Sequence, residues 1–94
     1  MGELQDIFYS LSDSTRLHIV QLLEQYENIS VGELADALSL SSAAISQHMR
    51  MLEYAGVVRK ERHGQRTCYR LQTQNPFIQD VLAIIHNSQI IYGV

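Results

Sequence analysis

The sequence is poor in cysteine and proline and has no long hydrophobic run, and these scarcities exclude whole classes of protein. A single cysteine, Cys68, cannot form an internal disulfide and is typical of a reducing compartment. No apolar stretch approaches the roughly 20 residues of a transmembrane helix, and the acidic start has no signal-peptide pattern. We therefore expect a cytoplasmic protein. Since there is no glycine-rich phosphate loop, nucleophile elbow or carboxylate pair beside a histidine, we expect no enzyme.

Length and charge distribution narrow the possibilities further. Ninety-four residues predict a single domain with a modest core, to which a second subunit would add apolar burial. The net charge of −3 argues at first against a nucleic-acid partner. Residues 1–40 carry seven acids and one base, however, whereas residues 41–70 carry six bases and two acids. Because the local field governs docking on phosphates more than the total charge does, the middle of the chain is a candidate for DNA contact.

Apolar spacing predicts four helices before any strand. The first spans about residues 3–11, and the second follows N-cap candidates at residues 12–14. Ser30 and Glu33 have the spacing of a capping box, in which each side chain accepts a hydrogen bond from the backbone of the other. A short third helix therefore begins at this point.

The predicted fourth helix has two distinct faces. It begins at Ser41 or Ser42, and Gly56 ends it. One stripe is apolar and consists of Ile45, Met49 and Leu52. The opposite stripe is small and polar with one base, and consists of Ala43, Ser46, Gln47 and Arg50.

A β-hairpin and a fifth helix complete the predicted order. Residues 57–71 combine β-branched and basic residues around a glycine-containing turn, which predicts a hairpin. Period-2 alternation directs Tyr69 and Leu71 inward and leaves the other positions on a face that we expect to be exposed: Arg66, Cys68 and Arg70. A last helix is expected from Pro76 to about Ile91.

This order of elements predicts a mainly α winged helix-turn-helix with five helices and a two- to three-stranded wing (α-α-α-α-β-β-α). A helix fits the DNA major groove, and short polar side chains in its N-terminal half can reach base edges. Gln47 can pair with adenine, and Ala43 can pack against a thymine methyl group. Basic side chains of a hairpin can reach phosphates or the minor groove. The predicted DNA-contacting residues are Ser41, Ser42, Ala43, Ser46, Gln47, Arg50, Arg62, Gln65 and Arg66.

Each of these features, taken singly, is more often an ordinary solvated surface than a binding site. A polar outer face is common to surface helices, and a charged hairpin is usually just hydrated. The joint order of capping box, serine-rich turn, small polar face and basic hairpin favours a DNA-binding regulator. The alternative is a winged-helix module for protein–protein contact without specific DNA binding.

Three stretches resemble the signatures of a known family and occur in its order. LSDSTRLHIVQLL, at residues 11–23, is similar to the opening signature of the ArsR/SmtB family of bacterial repressors. Residues 38–58 resemble its recognition helix, and residues 62–71 resemble its wing. Ser14 departs from the pattern, because the family usually has proline there. The resemblance implies a homodimer that represses transcription from an imperfect inverted repeat and is released by a ligand.

The resemblance also implies a division of labour along the chain. The helix-turn-helix is expected at residues 30–56, the wing at 57–71 and the dimerisation helices at 1–11 and 76–92. Their apolar surface exceeds what so small a monomer needs, which independently favours a dimer. The predicted interface residues are Leu4, Ile7, Phe8, Leu11, Phe77, Val81, Ile84 and Ile85.

The metal sites of the family have no counterpart in this sequence. One needs a Cys-x-Cys pair in the third helix, and residues 31–38 have no cysteine. The other would use positions that are poor zinc ligands, namely Asn75, Phe77, Ser88 and Ile91. We expect no metal and no cofactor. A redox role for Cys68 beside two arginines and a sensing role for His86 are minor hypotheses. The sequence does not identify the operator, the regulated genes or the inducer.

Overall fold

The computed structural model describes residues 3–88, which form five helices and one antiparallel hairpin in the predicted order. The elements are α1 (Glu3–Ser10), α2 (Ser14–Gln25), α3 (Val31–Leu38), α4 (Ser42–Tyr54), β1 (Val58–His63), β2 (Arg66–Leu71) and α5 (Pro76–Asn87). The predicted winged helix-turn-helix fold is confirmed. Residues 89–92 of the predicted dimerisation helix, including Ile91, lie outside the described residues.

Local capping determines where the helices begin. In the capping box of α3, the Ser30 hydroxyl accepts the Glu33 N–H at 3.1 Å, and Glu33 Oε1 accepts the Ser30 N–H at 2.8 Å. The hydroxyl of Ser41 accepts the Ala44 N–H at the start of α4. Since each side chain satisfies a backbone donor that the helix leaves unpaired, these starts are readable from the sequence.

Two left-handed residues separate α4 from its neighbours. Ser39 ends α3 with φ 56° and ψ 43°. Gly56 follows α4 with φ +81°. A left-handed residue reverses the chain direction within a few positions, so α3 and α4 stay short and pack on each other.

The wing consists of two paired strands and one additional bridge. Val58 pairs with Leu71 at its base and His63 with Arg66 at its tip, where Gly64 has φ +65°. Ser30, just before α3, forms an isolated antiparallel bridge to Cys68. The expected two- to three-stranded wing is therefore a two-stranded hairpin with a single bridge in place of a third strand.

The core lies between the five helices and the base of the hairpin. The apolar stripe predicted for α4 is fully buried, as Ile45, Met49 and Leu52 are 0% exposed. Other large side chains with almost no exposure are Ile7, Ile19, Leu34, Val57, Val58 and Ile78. One continuous core thus carries the outer face of α4 and the wing on a common support.

Cys68 does not lie on an exposed face, so that expectation was wrong. It is 3% exposed, and its neighbour Tyr69 is 5% exposed, so both faces of β2 are covered at this point. The segment before α3 covers the cysteine, whose thiol lies 3.7 Å from the Asn28 carbonyl oxygen. Alternation within the strand could not predict that Cys68 is buried, because the residues that cover it lie about 40 positions earlier in the sequence.

Candidate nucleic-acid interface

The outer face of α4 presents the small polar stripe that the sequence predicted. Ser42, Ala43, Gln47 and Arg50 are exposed, and Ser46 is half-buried. Ser41 is exposed as well, but its hydroxyl is engaged in capping. A partner approaching this face would therefore meet short side chains and the free amide of Gln47.

The stripe continues for one more turn, which the sequence analysis missed. Tyr54 is 87% exposed and stands four positions after Arg50. Together with Gln47, Arg50, Met51 and Glu53, it lines an open depression of about 590 Å³. Extending the spacing of Ala43, Gln47 and Arg50 by four residues would have identified Tyr54 from the sequence.

The seven cationic side chains fall into two groups. Arg16, Arg59, Arg66 and Arg70 are held by hydrogen bonds or ion pairs within the protein. Within residues 3–88, no hydrogen bond or ion pair engages Arg50, Lys60 or Arg62. Only this second group has its full charge available for a partner without breaking an existing contact.

Glu61 contacts three basic side chains on one face of the wing. Arg70 Nε donates to Glu61 Oε1 at 2.7 Å, and Arg59 donates to Glu61 Oε2 at 3.0 and 3.2 Å. His63 Nε2 lies 3.2 Å from the same carboxylate. The hydrogen bond from Arg70, and next the one from Arg59, lower the pKa of Glu61 from 4.5 to about 2.

Arg66 lies at the hairpin tip as predicted, but its charge is not free. Its Nη2 donates to Glu33 Oε1 at 2.6 Å and to the Asn28 carbonyl oxygen at 3.2 Å. The pKa of Glu33 is lowered, chiefly by the hydrogen bond from the Ser30 backbone and less by the charge of Arg66. Gln65, its neighbour in the turn, is exposed.

The strand register places the free wing cations on the side of α4. Lys60 is opposite Tyr69, and Arg62 is opposite Thr67, so these four side chains share one face. Tyr69 lies buried close to α4. Its pKa is raised by burial and by the charge of Glu53, while Arg50 acts in the opposite direction. Lys60 was absent from the predicted set, although it alternates with Arg62 on β1.

A second polar cluster joins α2 to the inner edge of α4. Arg16 Nη1 lies 3.2 Å from His48 Nδ1, and Asp13 Oδ2 lies 4.0 Å from the same nitrogen. Arg16 Nε donates to the Ser10 carbonyl oxygen at the end of α1. These contacts hold Arg16 away from the outer face and connect α1 with α4.

The predicted dimer interface divides into buried and exposed residues. Leu4, Phe8, Phe77 and Ile84 are 41%, 55%, 45% and 63% exposed. The other four predicted residues pack inside the protomer core: Ile7, Leu11, Val81 and Ile85. Asn75 Nδ2 donates to Glu3 Oε2 at 2.8 Å, which brings the first residues of α1 and α5 together.

Neither a metal centre nor a membrane span is present in the described part of the chain. Among residues 3–88, no three histidine, cysteine, aspartate or glutamate side chains are grouped closely enough to hold a metal ion. None of the helices described has the length and apolar character needed to cross a bilayer.

Comparison with known proteins identifies one family of bacterial regulators. The family model described as "Bacterial regulatory protein, arsR family" matches residues 13–60. The arsenic resistance transcriptional regulator ArsR1 of Pseudomonas putida is 37% identical over 70 residues, which are 74% of this chain and 55% of that protein. The match thus spans little more than half of the length of ArsR1.

Solved structures share the fold over nearly the whole chain. Reduced HlyU from Vibrio cholerae has a TM-score of 0.79 and 29% identity, covering 96% of this chain and 88% of its own. A homodimeric winged helix-turn-helix DNA-binding domain from Mycobacterium bovis, described as a possible ArsR-family regulator, has a TM-score of 0.75 and 25% identity. It covers 95% of this chain and 77% of its own.

Proposed function

Because the chain belongs to the arsR family of bacterial regulatory proteins, we propose that it is a homodimeric transcriptional repressor that binds an inverted-repeat operator. The small polar outer face of α4, flanked by cations that no residue from 3 to 88 engages, is the observation that carries the proposal. In this arrangement α3 and α4 are the helix-turn-helix, the hairpin is the wing, and α1 and α5 carry the dimer contacts.

The side chains of α4 divide into base-reading and phosphate-binding groups. Gln47 reads adenine, and Ala43 packs against a thymine methyl group, because both lie in the N-terminal half of the exposed stripe. Arg50 and the exposed serines position the helix on the backbone. Lys60 and Arg62 bind phosphates beside the groove, since they share the wing face nearest α4.

Salt dependence tests the assignment of the wing cations. Lys60→Ala and Arg62→Ala should each lower the slope of log affinity against log salt by ~0.9, the value for one lost phosphate contact. Arg59→Ala is the matched control. It removes the same charge from the same strand, but from a side chain bound to Glu61, so its slope should stay near that of the wild type.

Three results would contradict this assignment. The first is an equal loss of slope in all three variants, because the whole strand would then be within reach of phosphate. The second is an affinity for duplex DNA that hardly changes with salt, because phosphate contacts must weaken as salt rises, whereas the apolar protein interface of the alternative module would change little. The third is no preference for any duplex over heparin near physiological salt.

Sequence preference tests the role of Gln47. Gln47→Ala should cost ~1–3 kcal/mol on the preferred operator and much less on unrelated DNA, because a bidentate base contact is lost. Selection from a random duplex pool would show relaxed preference at one position in each half-site. A loss of the same size on all sequences would assign Gln47 to the backbone instead.

A further inference from the structure

The segment Asn28–Glu33, which we call the clasp, joins the wing to the helix-turn-helix. It connects α2 to α3 and contributes the bridge from Ser30 to Cys68. The three residues of β2 on the face opposite Tyr69 all reach it, and these are Arg66, Cys68 and Arg70. Alternate positions of one strand thus converge on a single short segment.

Asn28 is the centre of these contacts. Its carbonyl oxygen accepts from Arg66 Nη2 at 3.2 Å and lies 3.7 Å from the Cys68 thiol. Its side-chain oxygen Oδ1 accepts from Arg70 Nη2 at 2.8 Å. One residue therefore contacts three successive alternate positions of β2, from the tip towards the base of the wing.

Glu33, the last residue of the clasp, lies in the first turn of α3 and joins the wing to that helix through one oxygen atom. Its Oε1 accepts the Ser30 N–H that caps α3 and also the guanidinium of Arg66. α3 in turn packs on α4. A continuous series of contacts therefore runs from Arg66 of β2 through Glu33 and α3 to the helix that carries the base-reading stripe, and Asn28 holds β2 beside it.

We propose that Asn28 and Glu33 are positioning residues that hold the wing at the angle to α4 at which Arg62 and the α4 stripe engage one duplex together. The inference rests on the proposed DNA binding. A hairpin attached only at its base would swing, and its cations would then meet phosphates in many orientations. With the clasp closed, the wing and α4 move as one body.

The rival interpretation gives Glu33 the opposite effect on affinity. If Glu33 merely masks a phosphate-binding Arg66, its removal should strengthen DNA binding. The loss of any acidic charge also favours binding to a polyanion, so a matched control is necessary. Asp36→Asn serves, since Asp36 is an exposed carboxylate of the same helix and has no ion pair within the described residues.

The test is a double-mutant cycle between the clasp and the wing. Arg62→Ala is measured in the wild type, in Asn28→Ala, in Glu33→Gln, in the double variant of these two and in Asp36→Asn, by operator binding and hydroxyl-radical footprinting. In the wild type and in Asp36→Asn, Arg62→Ala should weaken binding by roughly threefold or more. In the double variant Asn28→Ala/Glu33→Gln, which removes the side-chain acceptor of Arg70 and the carboxylate charge that holds Arg66, it should change affinity less than twofold, and each single variant should show an intermediate effect. In the clasp variants, protection of the operator flanks from hydroxyl radicals should decrease, while protection of the operator centre should stay.

Two features of the design separate positioning from a general loss of structure. Glu33→Gln keeps an oxygen that accepts the Ser30 N–H, so α3 retains its cap, and it removes only the carboxylate charge that holds Arg66. Asn28→Asp keeps an acceptor for Arg70 and should restore the full effect of Arg62→Ala. A merely structural role would reduce flank and central protection equally.

The outcomes distinguish this inference from the function on which it rests. A wild type that binds no duplex overturns both. A wild type that binds, with an Arg62 effect that is absent or that persists unchanged in the double clasp variant, overturns only the positioning role. Tighter binding in Glu33→Gln than in Asp36→Asn, with a salt slope larger by about one contact, overturns it in favour of masking.

Discussion

At the scale of single residues, Glu61 governs which bases of the wing are free. It binds Arg59 and Arg70 and lies beside His63, all on one face of the hairpin. Lys60 and Arg62 alternate with these residues along β1, so their side chains lie on the opposite face, away from Glu61. Glu61, together with Glu33 at Arg66 and Glu27 near Arg70, therefore offsets the charge of one face of the hairpin, whereas the other face stays positive.

The lowered pKa of Glu61 predicts a pH-dependent contribution to stability. The pKa falls from its ordinary value of 4.5 to about 2 in the folded protein. The stabilisation is therefore present above about pH 4.5 and is lost as the pH falls towards 2. The difference in unfolding free energy between wild type and Glu61→Gln should be largest near neutral pH and shrink over that interval.

Urea unfolding at a series of pH values measures this difference. The contribution should also decrease in high salt, because the carboxylate lies at the surface and its ion pairs are screened. A difference that stays constant from pH 7 to pH 2 would show that the side chain acts through packing rather than charge.

At the scale of elements, the two helices of the proposed helix-turn-helix are short and depend on their ends. α4 has 13 residues and carries its cap at Ser41, whereas Gly56 turns the chain into β1. α3 has eight residues, begins at the capping box and ends at left-handed Ser39. Because neither helix is long enough to be stable alone, these end groups and the packing on the core determine their geometry.

Replacing each of two glycines by alanine should change the free energy of unfolding in opposite directions. Gly56→Ala should destabilise by ~1–2 kcal/mol, because φ +81° is unfavourable for a residue with a Cβ even though no atom of the described residues lies within 4 Å of the added Cβ. Gly32→Ala should stabilise by about 0.4–1 kcal/mol, since Gly32 is helical and its Cβ would meet only the Ser30 hydroxyl at 3.9 Å. Urea midpoints measured side by side check both signs, and destabilisation by both would show that crowding outweighs backbone conformation.

At the scale of the whole molecule, one protomer measures 32 × 30 × 20 Å. Bodies of this size, related by a two-fold axis, are large enough to reach the ~34–36 Å between half-sites one turn apart on DNA. The exposed apolar side chains of α1 and α5 offer a surface for that pairing, and the hydrogen bond from Asn75 to Glu3 joins the starts of these two helices.

Dimerisation should depend on Ile84 and not on its neighbour. Ile84→Glu places a charge on a side chain that is 63% exposed in the protomer, so the fold should survive while the dimer dissociates. Ala83→Glu adds the same charge to another exposed face of α5 and should remain dimeric. Sedimentation equilibrium distinguishes the two.

The loss of the dimer should also weaken operator binding. Linking two half-site contacts raises affinity by about 10²–10⁴ when the geometry allows both to engage, so a monomeric Ile84→Glu should lose affinity in that range. Dimeric Ile84→Glu with unchanged affinity would move the interface away from α5.

Several features followed from the order of residues alone, because they depend on neighbours within about four positions. The apolar stripe of α4, the capping box of Ser30 and Glu33, and the turn at Gly56 are of this kind. Helical period and backbone capping act over one turn, so their pattern is visible in the sequence. The resemblance to a known family then extended these local predictions to the whole fold.

Other features required the folded chain, because they join residues that lie far apart in sequence. Arg66 finds Glu33 across 33 positions, and Cys68 is covered by Asn28 across 40. Likewise, the apolar residues of α1 and α5 separate into core and surface only when the other helices have packed against them. Charge pairing and burial depend on distance in space, and no periodicity along the chain encodes which cation stays free or which apolar face stays open.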